Sequence, residues 1–266
     1  GIQSEIINSI SQGKDTLGLM PTGGGKSVTF QVPAIAMDGV CIVITPLIAL
    51  MKDQVENLRK RGIKAAAIYS GMTNDQIIST LENCIFGAYK LLYVSPERLS
   101  STFFLKKINH AHISFITVDE AHCITQWGYD FRPSYLKIKD FRKIFPDTAI
   151  LALTATATPA VVEDIQRQLD FKCDNVFRMS FLRANLAYIV EKPINRLEKT
   201  TQLIENAKGS CIVYVQTRDD AKNLAEYLNE NGQSATFYHA HLDSTVKNDR
   251  QERWKKGEVK TMVATN

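Results

Sequence analysis

The stretch MPTGGGKS, Met20–Ser27, decides the fold class, because it joins a predicted strand to a predicted helix through three consecutive glycines. The strand covers Asp15–Met20, and a helical pattern starts near Lys26. Glycines let the backbone wrap around phosphate groups with its N–H groups pointing inward, and the positive end of the helix dipole faces the same point. This arrangement predicts a P-loop, in which Lys26 reaches the β and γ phosphates of a nucleotide and Ser27 ligates magnesium.

Short apolar runs alternate with helical patterns along the whole chain. This alternation predicts an α/β fold, in which a parallel sheet is covered by helices on both faces. The pattern starts again after a polar stretch, so we expect a first domain over residues 1–182, a join over 183–196 and part of a second domain over 197–266. The predicted strands are Asp15–Met20, Val40–Thr45, Ala65–Tyr69, Lys90–Val94, Ser114–Asp119, Ala149–Thr154, Ser210–Gln216, Ala235–Tyr238 and Lys260–Ala264. The predicted helices include Ile2–Ile10, Leu47–Arg61, Asn74–Phe86, Pro159–Leu169, Arg218–Asn231 and Ser244–Lys256.

The composition is that of an ordinary globular protein, with 44% hydrophobic and 23% charged residues. A net charge of +4 permits a polyanionic partner without requiring one. The five cysteines form no C-x-x-C pair, which argues against a zinc site or a disulfide framework and fits a reducing compartment. There is no signal peptide and no apolar run of membrane length, so we expect a soluble, intracellular protein without a membrane partner.

Two carboxylates, Asp119 and Glu120, follow directly after an apolar strand. In parallel α/β sheets, ligands bind at the carboxyl ends of the strands, so we expect this pair beside the P-loop. Asp119 would hold magnesium, through water, and Glu120 would polarise the attacking water as general base. His122 lacks the spacing of a metal ligand and is interpreted as a relay residue.

The order of the motifs resembles that of RecQ-family DNA helicases, which belong to helicase superfamily two. The resemblance covers Gln3–Ala264, and in this family Met20 is a normal replacement for the first glycine of the general P-loop pattern. The other matching motifs are TPLIALMKDQ at Thr45–Gln54, SPERL at Ser95–Leu99, DEAH at Asp119–His122, LTATA at Leu153–Ala157, CIVYVQTR at Cys211–Arg218 and FYHAHL at Phe237–Leu242.

The resemblance implies two RecA-like domains that use ATP and Mg²⁺ to move 3′-to-5′ along single-stranded DNA and to unwind partly duplex DNA. It further implies a role in recombination and repair, with no zinc bound within this chain. The expected location is the cytoplasm of a bacterium, near the nucleoid, or the nucleus of a eukaryote. No protein partner is predicted.

The resemblance also assigns roles to individual residues. It gives catalysis to Glu120, Lys26 and Asp119, and coupling between hydrolysis and domain movement to His122, Thr154 and Thr156. Gln3 would read the adenine. The phosphates and magnesium would be bound by Thr22, Gly23, Gly24, Gly25, Lys26 and Ser27, with Asp119 on magnesium through water. The residues expected to contact nucleic acid are Pro46, Lys52, Gln54, Ser95, Arg98, Trp127, Phe131, Arg132, Arg218 and His239.

The stretch HCITQWGYDFRP, His122–Pro133, resembles the aromatic-rich loop with which RecQ helicases sense single-stranded DNA. Trp127 and Phe131 can stack on bases without reading their sequence, and Arg132 can add charge and a cation–π contact. Core packing is the common role of such aromatic residues, but the glycine and charged residues around them make a poor core. Tyr129 and His241 depart from the family pattern and receive no role.

Two other functions stay open. An RNA-remodelling ATPase could use the same motor fold, because fold does not determine substrate. A nucleotide-gated binding module without hydrolysis is the second, although the intact Lys26 and Glu120 argue against it for a complete protein. The chain reads as a fragment, and the family's arginine fingers, zinc-binding region and winged helix would follow residue 266. We therefore expect this chain alone to be weakly active or inactive.

Overall fold

A seven-stranded parallel sheet organises the first of the two units, Gly1–Asn185 and Leu186–Asn266, into which the computed structural model divides. The structure describes residues 1–127, 130–182 and 185–265. The strands of this sheet are β1 Thr16–Leu19, β2 Val40–Ile44, β3 Ala65–Ile68, β4 Leu91–Val94, β5 Ile113–Val118, β6 Ile150–Thr154 and β7 Val176–Arg178. Their order across the sheet is β3-β4-β2-β5-β6-β1-β7, and all the neighbouring pairs are parallel.

Helices connect these strands, and several begin at recognisable caps. The Thr73 side chain accepts a hydrogen bond from the Gln76 N–H, while the Gln76 side chain accepts one from the Thr73 N–H, which is a capping box. Thr158 caps the last helix of the unit, and Pro159 follows at its first position, where the missing N–H costs little. The helices are α1 Ile2–Ser11, α2 Lys26–Ala36, α3 Ile48–Lys60, α4 Asn74–Ile85, α5 Thr102–Ile108, α6 Lys137–Ile144 and α7 Pro159–Gln168, with 3-10 turns at Pro96–Ser100, Ala121–Ile124 and Pro133–Leu136.

Successive residues of each central strand pack on opposite faces of the sheet. In β2, Ile42 and Ile44 belong to one buried cluster, whereas Cys41 and Val43 belong to a second. All residues of β2 are buried, as are those of β1, β4 and β6. This confirms the predicted sheet with both faces covered, and it explains why these strands read as continuous apolar runs.

A buried ion pair fixes the amino ends of two neighbouring strands. Arg142 donates to Asp15 Oδ2 at 2.9 Å, and the two side chains are only 5% and 2% exposed. The backbone N–H groups of Ile150 and Lys172 donate to the same carboxylate at 2.8 and 3.2 Å. Asp15 therefore ties the start of β1 to the start of β6, and its charge is satisfied by groups far away in the sequence.

The second unit contains a smaller parallel sheet in the order β8-β10-β9. Its strands are β8 Cys211–Val215, β9 Ala235–Tyr238 and β10 Thr261–Thr265, and its helices are α8 Arg196–Asn206, α9 Arg218–Glu230 and α10 Ser244–Lys255. Helix α9 supplies most of the small core through Ala221, Ala225 and Leu228, which pack with Val263 of β10.

The predicted strands and helices are confirmed, with each end within one residue of its predicted position. The sequence pattern missed β7, because three residues that are not buried are too few to show a periodicity. It also missed α8, which begins at Arg196 and buries only Ile204. The predicted limits of the domains stay predictions.

Candidate nucleotide and nucleic-acid sites

The carboxyl ends of β2, β5, β6 and β1, which are neighbours in the sheet, meet at one edge. The Met20 N–H, directly after β1, donates to the Thr154 carbonyl at the end of β6, at 3.1 Å. The Asp119 N–H, directly after β5, donates to the Ile44 carbonyl at the end of β2, at 2.9 Å. Parallel pairing therefore brings the P-loop and the carboxylates to the same edge of the sheet, where ligands bind in this fold class.

The glycines of the P-loop are required by its backbone. Gly23 and Gly25 have φ values of 79° and 81°, in the left-handed region that glycine adopts without strain. A Cβ atom at Gly24 would lie only 2.9 Å from the Pro21 carbonyl oxygen. Gly25 is also the residue before α2, so the first N–H groups of that helix lack partners within it and can face a phosphate.

Two of the predicted nucleotide ligands contact the P-loop itself. Gln3, on α1, donates from Nε2 to the Gly24 carbonyl at 3.0 Å. Lys26 donates from Nζ to the Met20 carbonyl at 3.3 Å. The structure thus brings Gln3 and Lys26 to the same loop as Thr22 and Ser27, although Gln3 lies far from α2 in the sequence.

Asp119 is a largely buried carboxylate with a raised pKa. Burial, followed by the nearby charge of Glu120, raises the pKa of Asp119 to about 6. The Lys26 charge and hydrogen bonds from the Glu120 N–H and the Thr45 hydroxyl partly offset this rise. The Glu120 N–H donates to Oδ1 at 3.0 Å and the Thr45 hydroxyl donates to Oδ2 at 3.5 Å. These bonds orient the Asp119 carboxylate, and its role as a magnesium ligand stays a prediction.

The three predicted coupling residues and the predicted general base lie in one contact chain. His122 Nδ1 is 3.4 Å from Glu120 Oε2 and 3.0 Å from Thr154 Oγ1. Thr154 Oγ1 also accepts a hydrogen bond from the Thr156 N–H at 3.2 Å. Burial is the first cause of a lowered pKa for His122, so its imidazole is neutral at neutral pH, and Nδ1 makes a hydrogen bond with the Thr154 hydroxyl.

The aromatic loop begins at His122, a member of this contact chain, and it exposes one large side chain to solvent. Trp127 is 79% exposed, and its ring lines an apolar cavity of about 310 Å³ together with His122, Thr156 and Phe181. Phe131 is half-buried. Arg132 is bound to its neighbour Asp130, to which Nε and Nη2 donate at 3.1 and 2.9 Å. Tyr129, which received no role, lies outside the described residues.

In the first unit, two of the predicted DNA-contacting cations gather around one tyrosine. Lys52 Nζ lies 4.7 Å from the centre of the Tyr69 ring, and Arg98 donates from Nη2 to the Tyr69 carbonyl at 2.8 Å. Gln54 instead accepts a hydrogen bond from Gln31 of α2 at 3.0 Å, and the Ser95 side chain is buried. Pro46 is half-buried just before α3.

In the second unit, Arg218 and His239 lie close together although they follow different strands. Arg218 is the first residue of α9, after β8, and His239 follows β9. Burial and then the charge of Arg218 lower the pKa of His239. The His239 ring also stacks on Phe237, with the ring centres 5.8 Å apart. The two predicted nucleic-acid ligands therefore share the carboxyl edge of the small sheet.

Sequence reasoning missed two residues that act on Asp119. Thr45 follows β2 directly and therefore lies at the same edge of the sheet. Its place after an apolar run was the sequence signal that could have identified it. Tyr135 donates to the Asp119 carbonyl at 2.8 Å and had no signal, because a single tyrosine in a loop predicts no contact.

Among the described residues, His122, Cys123 and Asp130 form a group whose possible metal-binding atoms lie within 4.8 Å of one another. Asp130 is already paired with Arg132, and burial raises the pKa of the Cys123 thiol to about 12, which disfavours the thiolate that zinc requires. The predicted absence of zinc stays a prediction.

Residues 1–165 match the family model of the DEAD/DEAH box helicases, and residues 195–266 match that of the helicase conserved C-terminal domain. The chain belongs to the DEAD/DEAH box helicase family. Within it, the chain is 41% identical over 264 residues to the ATP-dependent DNA helicase RecQ of Haemophilus influenzae and 42% identical over 267 residues to that of Bacillus subtilis. The resemblance to RecQ helicases read from the motifs is thereby confirmed.

The matches cover nearly all of this chain but less than half of the relatives. They include 99% of the chain in both cases, and 43% and 45% of the two RecQ proteins. Among solved structures, helicase Lhr of Mycobacterium smegmatis bound to single-stranded DNA and AMP-PNP matches with a TM-score of 0.71 at 21% identity, over 99% of this chain and 39% of that one. This likeness concerns the fold and agrees with the predicted RecA-like class. In the described part of the chain, no helix has the length and apolar character needed to cross a membrane.

Proposed function

We propose that the protein is an ATP-dependent DNA helicase, which couples ATP hydrolysis to movement along single-stranded DNA and to duplex unwinding. The observation that carries the proposal is the contact chain from Glu120 through His122 to Thr154, beside the P-loop. It connects a general base to the segment that begins the aromatic loop, so a DNA contact can change hydrolysis. DNA rather than RNA is proposed because the relatives at 41% and 42% identity are named DNA helicases.

The residues present suit a magnesium ion bound with the nucleotide. Ser27 supplies a hydroxyl at the start of α2, and Asp119 supplies a carboxylate whose pKa is raised by burial and then by the nearby charge of Glu120. These two residues would hold the ion, Asp119 through water. Bound magnesium neutralises the negative charge that develops on the phosphates.

The residues of the chain then have distinct tasks. The N–H groups at the start of α2 and the Lys26 ammonium bind the phosphates, and Gln3 binds the adenine. Glu120 orients the attacking water and accepts its proton. His122, which is neutral, holds the Glu120 side chain in position relative to Thr154. His122 is also the residue at which the aromatic loop begins.

Single-stranded DNA is proposed to bind without sequence preference. Trp127 offers an exposed ring on which a base can stack, and Lys52 and Arg98 offer positive charge to the phosphates around Tyr69. On the second unit, Arg218 would offer positive charge to the phosphates and His239 would offer a hydrogen bond. Movement in the 3′-to-5′ direction, a role in recombination and repair, and a location inside the cell belong to the proposal through the likeness to RecQ helicases.

The test is ATP hydrolysis by the full-length protein that carries this chain, with Mg²⁺ and either no nucleic acid, single-stranded DNA or single-stranded RNA. The Glu120→Gln variant removes the general base, and we expect kcat to fall by about 10²–10⁴-fold. Strong stimulation by DNA that is lost in the variant supports the helicase and leads to an unwinding assay. Equal or stronger stimulation by RNA would favour an RNA-remodelling ATPase, and no hydrolysis in any condition would leave a nucleotide-gated binding module.

A further inference from the structure

Tyr135 contacts the backbone of Asp119, the proposed magnesium ligand, from an element that the proposed mechanism does not use. It lies in the 3-10 turn Pro133–Leu136, just after the aromatic loop, and its side chain is fully buried. Its hydroxyl donates to the backbone carbonyl oxygen of Asp119 at 2.8 Å.

The bond from Tyr135 acts on a single peptide unit. The Asp119 carbonyl and the Glu120 N–H belong to the same planar group. That N–H donates to Asp119 Oδ1 at 3.0 Å. When Tyr135 fixes the Asp119 carbonyl, it also fixes the plane of the Asp119–Glu120 peptide. That plane sets the direction of the Glu120 N–H, which orients the Asp119 carboxylate.

This peptide unit leads into a backbone conformation that needs support. Glu120 has a φ of 48° and a ψ of 46°, in the left-handed region. A residue with a Cβ adopts this region at a cost and keeps it only where its surroundings enforce it. Tyr135 is a side chain in position to enforce it from the carbonyl side.

The turn that carries Tyr135 is itself anchored. The Arg132 N–H donates to the Cys123 carbonyl at 2.9 Å, which closes the loop back onto the turn that follows Glu120. The Ser134 hydroxyl donates to Glu97 Oε1 at 3.1 Å, in the SPERL segment. The tyrosine is thus presented from a turn fixed at two points.

We infer that Tyr135 is a positioning residue for ATP hydrolysis, which fixes the Asp119–Glu120 peptide plane and thereby directs the Asp119 carboxylate toward the nucleotide-bound magnesium. The inference rests on the proposed function, since it gives Asp119 the magnesium role proposed above. It adds a second path from the aromatic loop to the carboxylates, which runs through a backbone carbonyl and does not involve His122.

The test uses Tyr135→Phe in the full-length protein, because phenylalanine keeps the buried ring and removes only the donor. Binding of a fluorescent, non-hydrolysable ATP analogue is titrated with Mg²⁺, and ATP hydrolysis with single-stranded DNA is measured in parallel. Loss of a group that orients a metal ligand costs about 10–100-fold in metal affinity or activity. We expect the half-saturating Mg²⁺ concentration to rise and kcat to fall, each by about tenfold, with analogue binding at saturating Mg²⁺ unchanged.

A matched control separates positioning from stability. Ile77→Val trims a buried core residue on α4, which belongs to the same unit and does not contact Asp119, so it lowers the melting temperature without shifting the Mg²⁺ titration. Ser134→Ala loosens the same turn with little risk to folding, and it should shift the titration in the same direction as Tyr135→Phe but less.

Each outcome decides the matter. Mg²⁺ titrations of Tyr135→Phe and Ser134→Ala that superimpose on that of the wild type would overturn the inference, whatever their melting temperatures. A wild-type protein that binds the analogue with Mg²⁺ but never hydrolyses ATP would refute the proposed function. The Mg²⁺ titration would still test Tyr135 in that case.

Discussion

The predicted coupling between hydrolysis and the LTATA segment depends on the Thr154 hydroxyl. Thr154→Val tests it, because valine removes the hydroxyl from a side chain of nearly the same shape. Thr154 is fully buried, and its oxygen meets His122 Nδ1 at 3.0 Å and the Thr156 N–H at 3.2 Å. Leaving such partners unsatisfied costs about 1–3 kcal/mol. If about 1.4 kcal/mol of this is lost from the positioning of His122 and Glu120 in the transition state, kcat falls about tenfold.

The assay is ATP hydrolysis by the full-length protein with and without single-stranded DNA. We expect Thr154→Val to lose most of the DNA stimulation while binding ATP as the wild type does. Thr117→Val is the matched control, because Thr117 is also fully buried and its hydroxyl meets only Cys41 Sγ, at 3.4 Å, among the described residues. Full DNA stimulation in Thr154→Val would refute the relay. So would effects of Thr154→Val and His122→Ala that simply add in the double variant, since residues of one network couple.

Three further predictions concern separate parts of the protein. Protons compete with magnesium for Asp119, because its pKa is about 6. The half-saturating Mg²⁺ concentration for nucleotide binding should therefore be constant above about pH 7 and rise by up to about tenfold per pH unit below pH 6. A half-saturating Mg²⁺ concentration that does not change with pH in calorimetry would contradict this. Asp15→Ala leaves Arg142 buried without its carboxylate and should lower the free energy of unfolding by about 3–5 kcal/mol, which an unchanged urea midpoint would exclude. Trp127→Ala should weaken single-stranded DNA binding by about 1–3 kcal/mol in fluorescence anisotropy without changing the melting temperature, because the ring is exposed; equal affinity would remove Trp127 from the DNA site.

Much of the fold could be predicted because its signals are local. The apolar runs of β1, β2, β4 and β6 mark buried parallel strands, and all their residues are buried. The elements that the sequence pattern missed also have a physical explanation. Strand β7 has three residues that are not buried, and α8 buries only Ile204, so neither shows a pattern that distinguishes it from a polar join.

The candidate site was predictable only as a set of residues. Asp119 and Glu120 follow directly after β5 in the sequence, and Lys26 follows the glycines of the P-loop, which is enough to predict their roles. The burial and the bonding partners of each side chain were not predictable from its neighbours in the sequence. Ser95 carries the expected chemistry but has a buried side chain, and Arg132 is bound to Asp130.

The sequence by itself determined the P-loop, because its requirements lie within eight consecutive residues, Met20–Ser27, and are met by backbone conformations that glycine adopts without strain. Tertiary structure alone decided which side chains meet across the strand ends. His122 contacts Thr154 because β5 and β6 are neighbours in the sheet, and Tyr135 reaches Asp119 because a 3-10 turn folds back beneath it. Contacts of this kind depend on strand order and on the direction of individual side chains, which arise from packing of the whole domain and leave no periodicity in the sequence.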